Sequence, residues 1–369
     1  MQSKKQAVYL DSQEGRLRRF VMNASVLQKH LAEKLALSPS TVSRALRNHA
    51  AISTETREQV LTAARELGYT FCGPTRSRAG RRVRPQARIR HVAALFTACE
   101  PQQLQGPVST ALLGGLSVAS REQYATVHLC TIRPDEVSRM TDPACWPPIL
   151  REGLVEGLIL HAEWPTGVLT ALLRRFAAVS IIHRLDAPID CIDHDDQAGA
   201  RRLVAHLVSR GHRRIGFIGA TCHPEQSRQR QIGYFAGLLD AGLPLDERLV
   251  FRSDSDLSRS DAQSEKIVAA VRGGVTAFVC MHDDLGYRFG ALLLHAGLRV
   301  PRDVSLVGFD DLPASVPDVP KLTTCVAPFQ RIGAAALDRL MARLDAPKMD
   351  PVRIVFPCEM REGDSVARA

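Results

Sequence analysis

Between Val26 and Tyr69 apolar residues recur at helical spacing in three short blocks separated by polar breaks. Leu27, Leu31 and Leu35 share one face of the first block. The break Ser38-Pro39-Ser40 offers an N-cap and a proline tolerated in a first turn, which predicts a second helix through Thr41, Val42, Ser43, Arg44, Ala45 and Leu46. Val42 and Leu46, four apart, turn inward and leave Ser40, Thr41, Ser43, Arg44 and Arg47 outward. A third helix is expected from a cap at Ser53, burying Val60, Leu61, Ala64 and Leu67, until Gly68 stops it. Beyond Ile89 the period changes: short β-rich runs alternate with amphipathic helical stretches, the pattern of parallel α/β domains. Strands are predicted at 89–96, 125–131, 155–160, 178–182, 214–219, 248–252, 276–280 and 304–308. Helices are predicted at 107–122, 195–210, 226–241, 258–273, 284–296 and 328–345, a count that fits two doubly wound lobes.

A length of 369 residues implies two or three domains, and 45% hydrophobic with 24% charged residues implies that most of the chain folds. The net charge of +9 matters once it is located. Residues 1–90 hold 18 Lys and Arg against 6 Asp and Glu, whereas residues 91–369 hold 30 against 33. A basic segment on a near-neutral body suits a polyanion at one end, since docked cations release its counterions. Between Arg76 and Arg90 there are seven arginines and no acid, which reads as a linker able to clamp phosphates or enter a narrow minor groove. A plain solvated linker is the alternative. Nine dispersed cysteines without a C-x-x-C pair read as reduced thiols. No zinc-ligand spacing, cofactor loop, secretory leader or apolar run of the ~18 residues a membrane span needs is visible, so the expectation is a cytoplasmic protein without metal or cofactor.

Three linked blocks then carry a resemblance. Leu37-Ser38-Pro39-Ser40-Thr41-Val42-Ser43-Arg44-Ala45-Leu46, Ile52-Ser53-Thr54-Glu55-Thr56-Arg57 and Ala64-Arg65-Glu66-Leu67-Gly68-Tyr69 resemble the headpiece of LacI/GalR regulators. Further on, Gly211-His212-Arg213-Arg214-Ile215-Gly216-Phe217-Ile218-Gly219, Arg228-Gln229-Arg230-Gln231-Ile232-Gly233-Tyr234 and Val304-Ser305-Leu306-Val307-Gly308-Phe309-Asp310-Asp311 look like the same family's second part. The resemblance implies an all-α helix-turn-helix headpiece joined to an α/β periplasmic-binding-protein-like sensor of two doubly wound lobes. It divides the chain into an extension at 1–22, a DNA-binding domain at 23–70, an Arg-rich hinge or linker at 71–90 and an effector-binding domain at 91–360.

On that resemblance the second helix lies in the major groove, with Pro39, Ser40 and Arg44 at base edges and Ser38, Thr41 and Ser43 near phosphates. Proline has no side-chain donor, so Ser40 and Arg44 carry the direct readout, and Arg47 adds a phosphate contact. Where relatives fold a hinge helix and wedge a leucine into the minor groove, this chain has Gly73-Pro74 and Arg78; Arg76 and Arg78 are DNA-contact candidates instead. Arg230 and Asp310 are the implied ligand contacts, a fork of donors and a pair of acceptors suited to a polyhydroxylated molecule. A helix cap for Asp310 and a surface ion pair for Arg230 stay open. His282 stands where relatives often have Asn, and His183 near a position that is often acidic, so both imidazoles are candidates for the pocket or for a structural role.

The function implied is a sequence-specific regulator, repression being the family's common mode, that binds a near-palindromic double-stranded operator as a homodimer. One short helix reads few base pairs and two-fold symmetry doubles the reading. A small polar effector, a sugar or sugar-like molecule, modulates it. A regulator with a degenerate pocket and a sugar-transport receptor are the alternatives. An enzyme is a weaker rival, because the neighbours in Asp310-Asp311 and His282-Asp283 point apart on an extended chain.

Overall fold

The computed structural model describes residues 6–7, 22–23, 31–46, 52–66, 89–97, 105–221, 224–253 and 262–369. Leu27, Arg47, Leu67, Gly68, Arg76 and Arg78 lie outside them, as does the expected linker up to residue 88. Two compact units divide the chain, Met1–Gln86 and Ala87–Ala369.

In the first unit a helical stretch at 31–34 ends at Ala36, whose φ of 50° is the left-handed conformation that turns a chain out of a helix. Leu37 N–H donates back to Ala32 O at 2.9 Å and closes the turn. Helix α1 (Pro39–Leu46) begins at the Ser38 cap, whose Oγ accepts from Thr41 N at 3.0 Å, and α2 (Thr54–Glu66) repeats the device with Ser53 and Thr56 N at 3.2 Å. Leu31, Ala32, Val42, Ala45, Val60 and Ala63 form one small buried core, so the inward faces are those the spacing predicted for Val42 and Val60. Two-residue strands at Gln6–Ala7 and Met22–Asn23 pair antiparallel.

The second unit holds two six-stranded sheets. Its N lobe orders β1 (Arg90–Thr97), β2 (Ala125–Ile132), β3 (Gly157–His161), β4 (Ala177–Ile181), β5 (Asp190–His194) and β11 (Arg353–Phe356) as β11-β5-β4-β3-β1-β2, all parallel. The C lobe orders β6 (Ile215–Ala220), β7 (Val250–Ser253), β8 (Ala277–Cys280), β9 (Ser305–Phe309), β10 (Thr323–Val326) and β12 (Glu359–Arg361) as β12-β10-β9-β8-β6-β7, with only β12 antiparallel. The eight predicted strands all coincide with observed ones, while β5, β10, β11 and β12 went unpredicted.

Strand β1 explains why these strands read as unbroken apolar runs. Its Val92, Ala94 and Phe96 join a core that includes Leu112, Leu116 and Ile332, while Ala93 and Leu95 face Trp146, Leu150, Leu169 and Leu172 on the other side. Helices cover both faces. Helix α3 (Pro107–Glu122) packs against α9 (Phe329–Asp345) at Gly115 and Gly333, where a Cβ would stand 2.0 Å from Gln330 O and 2.2 Å from Leu112 O. Only glycine permits that approach. Helix α4 (Thr166–Leu173), also unpredicted, covers the opposite face.

The chain passes between the lobes three times: from β5 into α5 (Asp196–Ser209), from β10 into α9, and from β11 to β12. Asp195 N–H donates to Phe356 O at 2.9 Å and ties two of the crossovers together. Helix α6 (Pro224–Asp240) packs on α5, and α7 (Ala262–Arg272) and α8 (Asp283–His295) complete the C lobe.

Candidate functional site

Two places gather the candidate residues. The first is helix α1, where Ser38, Pro39, Ser40 and Arg44 are exposed and Thr41 and Ser43 half-buried, while Val42 and Ala45 are sealed in the core. The hydroxyls form a connected set: Ser38 Oγ lies 2.7 Å from both Ser40 Oγ and Thr41 Oγ1. A rigid, small-residue surface with one exposed arginine can approach a polyanionic groove closely and read guanine edges.

The second is a cavity of about 400 Å³ between the two lobes, lined by Phe96, Thr97, Ser109, His161, His183 and Phe329 from one side and by Gln226, Met281, His282, Asp284, Asp310 and Leu312 from the other. The aromatic rings and scattered polar groups in its lining are those of a pocket for a small polar molecule. A neighbouring cavity of about 1050 Å³ shares His183 and adds Trp164, Arg184 and Arg228.

Asp310 reaches the cavity because β9 ends abruptly. Asp310 and Asp311 hold φ of 94° and 56°, unusual for non-glycine residues, and Asp310 N–H donates to Cys325 O at 2.7 Å. The two carboxyls consequently part: Asp310 meets Arg230, and Asp311 meets Arg361. Gly308, just before, leaves room for the Asp283 carboxyl, whose Oδ1 a Cβ would approach to 1.9 Å. Asp283 Oδ2 accepts from Leu312 N at 2.8 Å and from Thr324 Oγ1 at 3.0 Å, and burial pushes its carboxyl well above the usual range.

Arg230 sits in the second turn of α6, absent from the cavity wall, and its ion pairs are buried rather than on the surface. Its Nε donates to Asp196 Oδ1 at 2.6 Å, Nη2 to Asp310 Oδ1 at 2.9 Å, Nη1 to Asp310 Oδ2 at 3.2 Å and also to Met281 O, with the guanidinium 3.8 Å over the Phe309 ring. Burial alone would raise Asp196, but Arg230 and His194 outweigh it and hold the carboxyl far below its ordinary value. Asp193, His194 and Asp196 have the grouping of metal ligands, yet the guanidiniums of Arg230 and Arg353 already occupy their carboxylates, so the residues fit an ion-pair cluster better than a metal.

His282 and His183 both line the cavity. His282 is also the N-cap of α8, its Nδ1 accepting from Leu285 N at 3.0 Å, so its neutral form carries the proton on Nε2. His183 stands edge-on to His161, centroids 5.3 Å apart, and His161 stacks on Phe96 at 4.7 Å. His161 was missed in the sequence because a lone histidine ending an apolar strand gives no signal until β1 and β3 lie side by side.

A reading helix on a small three-block unit and an interlobe pocket on a crossover-linked α/β unit define a ligand-responsive DNA-binding regulator. Residues 29–70 match the bacterial regulatory proteins of the lacI family, and residues 204–366 match the periplasmic binding protein-like domain. The HTH-type transcriptional regulator GalR of Escherichia coli K12 is 26% identical over 332 residues, 89% of this chain and 92% of that protein. The solved complex of the transcriptional regulator CelR with cellobiose is 25% identical with a TM-score of 0.64, covering 92% of this chain and 99% of that one. The lac repressor dimer bound to operator and the anti-inducer ONPF, 22% identical with a TM-score of 0.67 over 91% of this chain and 98% of that one, shares the fold. The chain thus carries a lacI-family helix-turn-helix domain and a periplasmic binding protein-like domain, and the relatives it resembles over most of its length are LacI/GalR-type transcription regulators.

Proposed function

We propose that this regulator represses transcription by gripping a near-palindromic operator as a homodimer in the cytoplasm, and that a small carbohydrate closed between the lobes changes that grip. The observation that carries the effector half is the 400 Å³ cavity with Asp310, His183 and His282 on its wall beside Phe96 and Phe329. The cellobiose in the CelR complex supports a sugar. No helix among the described residues is long and apolar enough to cross a membrane.

In this reading residues 23–70 bind DNA, 71–90 link, 91–360 bind effector and 1–22 precede them. Ser40 and Arg44 read bases, Pro39 packs beside them, Ser38, Thr41, Ser43 and Arg47 face phosphates, and Arg76 and Arg78 add linker contacts. Asp310 and the two histidines meet the effector directly, with Arg230 holding Asp310 from behind. Operator selection from random duplexes followed by titration tests it: Arg44→Ala loses about 1 to 3 kcal/mol on the selected site and flattens discrimination. A panel of sugars should raise the melting temperature of the parent and not of Asp310→Ala. Equal affinity of parent and Arg44→Ala sinks the DNA half, and a panel without any stabilising sugar favours a degenerate pocket.

A further inference from the structure

Three successive backbone N–H groups just past β9 are each held by a partner from elsewhere in the C lobe. Asp310 N–H donates to Cys325 O of β10 at 2.7 Å, Asp311 N–H to Thr324 Oγ1 of β10 at 3.4 Å, and Leu312 N–H to Asp283 Oδ2 of α8 at 2.8 Å. The last two are coupled. The Thr324 hydroxyl donates its own proton to the same Asp283 Oδ2 at 3.0 Å, closer than the 3.4 Å to Cys325 O, and this leaves a lone pair for Asp311 N–H. One carboxyl oxygen therefore governs two of the three N–H groups, directly at Leu312 and through Thr324 at Asp311.

An acid in the first turn of a helix is commonly there for that helix's own N–H groups and dipole. Asp283 is not needed for that: His282 already caps α8 at Leu285 N–H, Asp284 pairs with Arg288, and both bonds that Asp283 accepts come from other elements. The turn it holds is one that needs holding, since residues 310 and 311 keep φ of 94° and 56° without being glycine, and such conformations persist only where the surroundings over-determine them. Asp283 is 1% exposed. His282 and Asp284 on either side of it line the cavity, as do Asp310 and Leu312 at the two ends of the turn. The Asp283 carboxyl thus joins the two chain segments that supply most of the C-lobe wall.

We propose that Asp283 is a positioning residue of the effector site: its buried carboxyl clamps the Asp310–Leu312 turn to the opening of α8 and so sets Asp310 on the cavity wall. This rests on the cleft being the effector site. Arg230 fixes the Asp310 carboxyl at 2.9 Å, and the clamp fixes the backbone that carries it, so the two act from different directions. What the clamp needs from position 283 is one well-placed acceptor oxygen, which an asparagine amide also offers. A leucine of similar size offers none and strips Leu312 N–H and the Thr324 hydroxyl of their acceptor.

The test is amide hydrogen exchange of the full chain, read by mass spectrometry on peptides covering 309–313, with β6 and β8 as internal references. In Asp283→Leu the turn should exchange about tenfold faster relative to those strands, whereas Asp283→Asn should stay near the parent. Should the leucine variant fail to fold, Thr324→Val keeps the shape, removes only the hydroxyl, and should speed the same peptide. On the panel of sugars above, Asp283→Asn should melt as the parent does and Asp283→Leu as Asp310→Ala does. Turn exchange that rises no more than that of β6 and β8, an asparagine variant as fast as the leucine one, or Thr324→Val without effect on the turn overturns the proposal. The exchange readout needs no sugar, so failure of the clamp and failure of the effector reading are told apart.

Discussion

Replacing Arg230 by methionine separates charge from packing at the centre of the second unit. Methionine keeps the apolar stem and most of the volume, so little cavity is created. What disappears is the guanidinium shared by Asp196 and Asp310, whose side chains are 7% and 11% exposed. Leaving buried carboxylates without their partner costs about 3 to 5 kcal/mol. The lost contact with Phe309 adds to this without being additive. Urea unfolding of the full chain, followed by fluorescence of Trp146 and Trp164, reads the change as a shift of midpoint at unchanged slope. Because Arg230 and His194 hold Asp196 below its ordinary value, the parent's advantage is complete above the unfolded carboxylate value of about 3.9 and shrinks as pH falls through the lower folded one. The two proteins should therefore differ by several kcal/mol at pH 7.5 and converge under acid. A loss below about 1 kcal/mol at pH 7.5, or one that persists unchanged under acid, would refute the electrostatic account.

Three further outcomes are expected. Ser38→Ala removes the acceptor of Thr41 N–H and weakens α1 by about 1 kcal/mol, seen as roughly fivefold faster amide exchange in that helix; unchanged exchange would deny the cap. Gly308→Ala drives a Cβ into Asp283 and should lower the melting temperature by about 2 to 12 °C, a result that an unaltered melt would contradict. Alanine at Arg76, Arg78, Arg81 and Arg82 should make the salt dependence of operator binding shallower by up to about four units, whereas Arg78→Leu should do little; strong tightening by the leucine would favour a wedging hinge.

The strands legible in the sequence are those whose apolar runs need no partner to explain them, β1, β3 and β9 among them. Strand β5 was hidden because its sequence, Asp190-Cys191-Ile192-Asp193-His194, has the composition of a loop. It is buried only because Arg339 and Arg343 of α9 neutralise Asp190, and Arg353 of β11 neutralises Asp193, partners about 150 residues distant. Strands β11 and β12 are four and three residues long, too short for any period to register. The site divides in the same way. Asp310 and Arg230 were legible through motifs, but the placing of Arg230 behind the wall, and the roles of His161 and His194, depend on strand register and crossover geometry that no local window contains.

The three crossovers make each lobe a mosaic of distant chain segments. The N lobe opens with β1 at Arg90, yet its sheet is completed only by β11 at Arg353–Phe356, and α3 waits for α9 some two hundred residues later. The C lobe receives its edge strand β12 only at Glu359–Arg361. During synthesis the lobe begun first therefore cannot be finished before its neighbour has been almost entirely made, and both sheets lack an edge until residues 353–361 emerge. A stop codon shortly before residue 353 would leave two unfinished sheets rather than one intact lobe and one damaged one.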